Sequence, residues 1–161
     1  MDEAALEALR RNSGLSLSDE GVFSFHGSEV PNPRVQALFH RGLAVRDDGE
    51  VTLSIGGKWA YVAVATVARF VSGLAARAGQ LEARFLGDVI RAVAPDAFAI
   101  GPDDRVYAWF DGDPVPAKLL RPAHHAVLAS VDGDGDCVVL GGTRVPLRAV
   151  ATIPEPRSPH P

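Results

Sequence analysis

The side chains of this chain whose types could bind or transform a ligand are few. Arg34 and Arg121 each stand beside a proline, Pro33 and Pro122, where a short apolar periodicity begins. A guanidinium at a helix start lies beside unpaired backbone amides, and together they suit a phosphate. Lys58 adds a cation, and Trp59 and Trp109 offer ring faces on which a base could stack. A plainer account leaves the arginines in solvent or paired with Asp47 and Asp88, and puts the tryptophans in the core.

His124 and His125 are adjacent, so on a helix they point about 100° apart and cannot chelate one ion as residues four apart do. With Cys137 or an aspartate they could contribute to a zinc site, but no paired Cys or His spacing supports one. The expected arrangement buries one of the two, as His40 is buried, and leaves the other exposed or in a groove. Asp132, Asp134 and Asp136 in DGDGD resemble the start of a calcium loop, yet Cys137 and Thr143 occupy the places of its glycine and its bidentate glutamate. A polar hairpin turn explains the run better. Cys137 falls in the apolar run CVVL, which suits an inert core thiol. There is no nucleophile-elbow motif, and neither Gly56-Gly57 nor Gly141-Gly142 opens a helix as a phosphate-binding loop does. No catalytic residue, metal or cofactor is expected.

The elements that would carry these residues come twice. Shifting the sequence by 85 positions lays Gly27–Val62 on Gly112–Leu147 without a gap. Val30-Pro31 meets Val115-Pro116, His40 meets His125, Leu43 meets Leu128, and Gly56-Gly57 meets Gly141-Gly142. Upstream, Phe23 and Phe25 match Tyr107 and Trp109 at an offset of 84, a slip that a β-bulge would explain. Each copy reads as hairpin, helix, hairpin. In the first, Leu15–Leu17 and Val22–Phe25 flank a turn, and a helix follows over Pro33–Arg41, capped by Gly42. Leu43–Arg46 and Val51–Ile55 then close around an Asp-Gly turn. The second copy has strands at Ala97–Ile100 and Val106–Phe110, and a helix from Ala117 or Pro122 to Ser130. Strands at Cys137–Leu140 and Val145–Val150 complete it.

Between the copies the signals conflict. Alanine and leucine favour a helix over Leu74–Ala94, but Gly79 and Gly87 interrupt it and QLEARFL alternates with period two, so strands are expected. The organisation is a helix over 1–12, a first half over 13–75, connecting strands over 76–96, a second half over 97–150, and an unstructured proline-rich tail over 151–161. The fold class is α+β, mostly antiparallel β with one short helix in each half.

Bulk properties fit such a domain. The chain has 161 residues, 22% of them charged, and a formal charge of −4. An acidic balance argues against a partner that is a nucleic acid polymer. The lone Cys137 excludes an internal disulfide and suits a reducing compartment. No run is apolar enough to span a bilayer, and MDEAALEALRRN lacks the apolar stretch of a signal peptide. A cytoplasmic location without membrane attachment is the expectation.

Over roughly residues 13–150 the motifs resemble those of the bacterial family DUF1285. They are GVFSFHGSEV, Arg34 ahead of a helix ending in ALF, then DDGEVTL, LGDVIRAV, RPAHHAVL and a Gly-Gly hairpin running into Pro146-Leu147. The resemblance implies a duplicated core with a second half superficially like a pleckstrin-homology fold. It also implies a site for a nucleotide-like ligand where the halves meet, and a role in signal transduction. The chain departs from the pattern at IGGKW, where Lys58 is kept but a glutamate is missing, and at His124 and His125, which replace aromatic residues. The expectation is a non-enzymatic module binding a phosphate-bearing small molecule through Arg34, Lys58, Trp59, Arg121, His124 and His125. The alternatives are a protein-interaction scaffold using the pleckstrin-like half, with a protein partner, and a metal-dependent hydrolase using His124, His125 and nearby aspartates.

Overall fold

Helix α1 (Glu3–Arg11) starts where the Asp2 carboxylate accepts the Ala5 amide at 2.7 Å, and arginines close its last turn. It buries no residue. Charge and ring contacts hold it instead: Arg11 donates to Glu50 at 2.8 Å, and the Arg10 guanidinium lies 4.1 Å from the centre of the Trp59 ring. The structure, a computed structural model, describes residues 1–94 and 96–159; Pro95, His160 and Pro161 lie outside the described residues.

Strands β1 (Leu15–Leu17) and β2 (Phe23–Phe25) form the expected first hairpin, with Leu17 opposite Phe23. β3 (Ser28–Glu29) pairs with β2 and leads into α2 (Pro33–Gly42). Gly42, expected as a cap beyond the helix, is its last residue. A Cβ there would sit 2.5 Å from the Ser54 carbonyl oxygen, so close approach to the following hairpin demands glycine, not a left-handed turn. β4 (Leu43–Val45), β5 (Val51–Ile55) and β6 (Lys58–Tyr61) form an antiparallel meander, and β7 (Ala63–Val64) returns parallel to β1.

The alanine-rich middle is strand, as the period of two predicts. β8 (Phe70–Arg77) and β9 (Gln80–Phe85) pair, and β10 (Ile90–Ala92) adds to β9. Leu81, Ala83 and Phe85 are buried on one face of β9 while Gln80 and Arg84 are exposed on the other. Ala78 and Gly79, at φ 51° and 77°, make the two-residue turn between β8 and β9. The boundary expected between residues 75 and 76 therefore cuts through β8, whose pairing binds 70–92 to the second half.

That half comprises β11 (Phe98–Ile100), β12 (Val106–Ala108), β13 (Ala117–Leu119), α3 (Arg121–Ala129), β14 (Val131–Asp132), β15 (Cys137–Leu140) and β16 (Thr143–Ala149). Ala117 does not start the helix. Ala117, Lys118 and Leu119 are a fully buried strand that pairs antiparallel with β12 and parallel with β8. The described strands form three sheets, ordered β3-β2-β1-β7, β4-β5-β6 and β10-β9-β8-β13-β12-β11-β16-β15-β14. The molecule is α+β with mostly antiparallel sheets.

The gap-free match at 85 does not survive. The leading hairpins start 83 residues apart, at Leu15 and Phe98, and their registers are unbroken, so no bulge accounts for the slip. The helices start 88 apart, at Pro33 and Arg121, because a longer connection containing β13 precedes α3. The glycine pairs return to 85, both with φ near 55° and 82°. The segment 151–159, expected to be unstructured, packs against the first half: Ile153 joins its core and the Arg157 amide donates to Gly49 at 2.7 Å.

Two core clusters result. One, around Phe98, Leu119 and Val127, belongs to the large sheet and α3. The other, around Leu17, Phe23 and Phe70, belongs to the first half but takes in Tyr107, Trp109 and Leu120 from the second. The halves are thus joined by a shared core, and a cleft opens along that seam. Among the described residues no helix is long and apolar enough to cross a membrane.

Candidate functional site

The seam cleft holds about 390 Å³, within the range of small-molecule sites. Its first wall is the β1–β2 turn, with Glu20, Gly21 and Val22. Its second is the passage from β3 into α2, with Glu29, Val30, Pro31 and Pro33, then Ala37 and His40 on the helix. Leu86 and Gly87 of the β9–β10 turn and Leu120 at the start of α3 close it from the other side. The surface is mainly apolar, and Glu20 and Glu29 are its exposed charged residues.

Each wall is fixed by a polar latch. The Gln36 amide accepts the Phe23 N–H at 2.8 Å and donates to the Phe23 and Val30 carbonyls at 2.9 Å each, fastening α2 to β2 and β3. His40 is 8% exposed and its Nε2 lies 2.7 Å from the Gly21 carbonyl, which makes Nε2 the protonated nitrogen. Burial holds the His40 pKa below the ordinary histidine value, and the Gly21 carbonyl opposes that shift in part. Gly87, at φ 90°, lets the β9–β10 turn come within 3.0 Å of the Ala37 carbonyl, as measured from where a Cβ would stand.

Both helices begin at this cleft, since Pro33 and Leu120 line it. Arg34 and Arg121, both exposed, directly follow these residues in the chain but are not themselves among the lining residues. Asn32 caps α2 by accepting the Arg34 amide at 2.9 Å, whereas no side chain caps α3. The other expected site residues lie elsewhere. Lys58 and Trp59 are on β6 under α1, where the Trp59 ring meets Arg10 and, at 5.3 Å, the Tyr61 ring. Trp109 is half-buried at the edge of the first core with Arg148 5.7 Å over it.

Neither residue of the histidine pair is among the cleft lining. His124 is half-buried, and its Nδ1 accepts the Val106 amide at 3.4 Å; His125 is exposed, its ring 6.1 Å from that of His124. Burial holds the His124 pKa below its ordinary value, helped by the positive Arg105 and by His125, and Asp103 opposes it. Neither histidine is buried as His40 is, and the buried residues of α3 are Ala123 and Val127. DGDGD is a turn in which Asp132 pairs with Arg144 at 2.8 Å. Cys137 is buried, with Arg144 Nη1 2.8 Å from its sulfur. Among the described residues no three His, Cys, Asp or Glu side chains converge as a metal-holding group.

One residue at the seam escaped sequence reasoning. Lys118, 8% exposed on β13, donates to the Asp19 carbonyl at 2.9 Å across the seam. A lone charge in the apolar run VPAKLL was the signal that could have found it.

No family model and no curated protein matches the chain. Two solved structures do match its fold. A DUF1285 family protein from Silicibacter pomeroyi DSS-3 aligns with a TM-score of 0.63 at 15% identity, over 83% of this chain and 79% of that one. The chain has the DUF1285 fold. A second DUF1285 family protein, from Shewanella baltica OS155, aligns with a TM-score of 0.54 at 20% identity, over 69% of this chain and 87% of that one. At 15% and 20% identity the likeness is one of fold.

Proposed function

We propose that the protein is a non-enzymatic, cytoplasmic ligand-binding module whose small-molecule ligand seats in the seam cleft, with its anionic end toward the helix starts. The observation that carries this reading is that α2 and α3 begin at one apolar cleft and that α3 is left without a side-chain cap. Uncapped amides and a helix dipole favour a negative group there, and Arg34 and Arg121, in the first turns of the two helices, would add to it. The apolar walls suit the ring system of a nucleotide-like body. In this reading Lys58, Trp59, His124 and His125 are not ligand contacts. A role in bacterial signalling is consistent with binding without catalytic machinery. The two halves, each a hairpin, a helix and a three-stranded meander, would then be copies of one unit with the site between them.

Thermal melts with AMP, ADP and ATP test it, since a ligand of the folded state stabilises by mass action. The expected result is a rise in melting temperature with at least one of them that Arg34→Ala and Arg121→Ala together abolish. Stabilisation only by zinc, lost in His124→Ala, would overturn it in favour of a metal-dependent hydrolase. A second reading has its own observation: Leu128 and Val131 are exposed where α3 runs into β14, in the half likened to a pleckstrin-homology fold. That patch suits a protein partner.

A further inference from the structure

A second, smaller cavity of about 20 Å³ adjoins the seam cleft, since His40 and Leu86 line both. Phe70 and Phe85 line it further, and so do two cations, Arg69 and Arg91. Arg69 directly precedes β8, where its carbonyl accepts the Lys118 amide at 3.1 Å, and Arg91 is the middle residue of β10. The pairing of β8, β9 and β10 thus sets both arginines at one small space.

The two guanidinium groups share one counter-ion. Arg69 Nε lies 3.1 Å, and Arg91 Nη1 2.9 Å, from the same Oδ2 of Asp113. Arg91 also donates to the Asp111 carbonyl at 2.7 Å, and Arg69 to the Leu43 carbonyl at 3.4 Å. Each guanidinium carries five N–H donors, so these partners leave several over. One is orphaned outright: Arg69 Nε is buried and makes no hydrogen bond, its contact with Asp113 being one of charge alone. A buried donor in that state marks a place for a water or an ion. The charge balance favours the ion. Two cations face one carboxylate, and the Phe85 and Phe110 rings, 5.9 and 5.1 Å from the Arg91 guanidinium, give it an apolar side that strengthens its pull on an anion.

We infer that Arg69 and Arg91 form a binding site for one compact monovalent anion, chloride or a carboxylate no larger than formate. A cavity of this volume has room for one or two water-sized atoms and none for a ring. The site is therefore not the seat of the cleft's ligand, and it stands whether or not the cleft binds one. A bound anion offsets the excess charge and accepts the orphaned Arg69 donor, so it stabilises the folded chain.

The test exchanges gluconate, too bulky to enter, for chloride or for formate at constant ionic strength. It reads the arginine Nε–H signals of the 15N-labelled full chain, with Arg69 assigned by the signal lost in Arg69→Lys. The Arg69 signal is expected to move saturably with one or both anions, while that of the exposed Arg34 drifts without saturating. Which anion saturates it separates a halide site from a carboxylate site. Asp113→Asn removes the competing carboxylate, so anion binding should tighten about threefold or more, and the anion should restore part of the melting temperature that the variant loses. Arg91→Met should weaken binding about fivefold or more. The wild-type titration decides if neither variant folds. An Arg69 signal that follows Arg34 with both anions overturns the inference and leaves the cavity to water. Saturation that Arg91→Met leaves unchanged overturns it as well.

Discussion

His40 shows how one buried side chain can serve both structure and site. Its imidazole braces Gly21 across the cleft and stacks edge-on against Phe23, at 4.8 Å between ring centres. Because burial disfavours its charged form, the folded chain takes up that proton less readily than the unfolded one. The stability that follows is fully present above the ordinary histidine value and is lost as pH falls through it toward the lower folded value. His124, shifted the same way, adds to the effect. The urea midpoint should therefore drop between pH 7.5 and pH 5.5, and His40→Gln should flatten that drop; an unchanged slope in the variant would mean that His40 is not held neutral. Nothing in the local sequence announces this role, since a histidine on a helix reads alike whether it faces water or a carbonyl. Lys118 was missed for the same reason: the Asp19 carbonyl that receives it is 99 positions away.

At the scale of elements, the sequence was informative wherever the signal was local. The Asp-Gly and Gly-Gly turns, the period of two in QLEARF and the proline-led helices all formed as read, because turn chemistry and burial alternation act over a few residues. What misled was equivalence between copies. The gap-free alignment equated His40 with His125, yet His40 is buried and His125 exposed. The insertion that includes β13 shifts α3, and β13 exists because it pairs in parallel with β8, a contact no local pattern encodes. Gly42 offers a test of which force rules an element boundary. Helix propensity alone would favour alanine there by up to about 1 kcal/mol. Contact with the Ser54 carbonyl should reverse that sign, so Gly42→Ala is expected to destabilise by about 1–3 kcal/mol in urea unfolding. A stabilised variant would mean that the α2–β5 approach is looser than it stands here.

Over the whole molecule, the cleft is a consequence of how the halves are joined. Tyr107, Trp109 and Leu120 enter the first core from the second half, Ile153 returns to it from the tail, and β8 ties the middle strands to β13. The cleft remains where the β1–β2 turn, α2 and the β9–β10 turn meet without filling the space between them. That the halves would meet at a seam could be argued from the duplicated pattern; which residues line the cleft there could not. None of the six expected contacts is among its lining residues, though Arg34 and Arg121 directly follow Pro33 and Leu120, which are. The claim that the cleft is the ligand site is tested most directly by filling it. Ala37 lines its helical wall, and Ala37→Trp places an indole in the space a ligand would take. Calorimetric titration of AMP into the wild type and into this variant, each shown to be folded by its melt, should give at least a tenfold loss of affinity in the variant. Equal affinity in the two proteins would contradict the account.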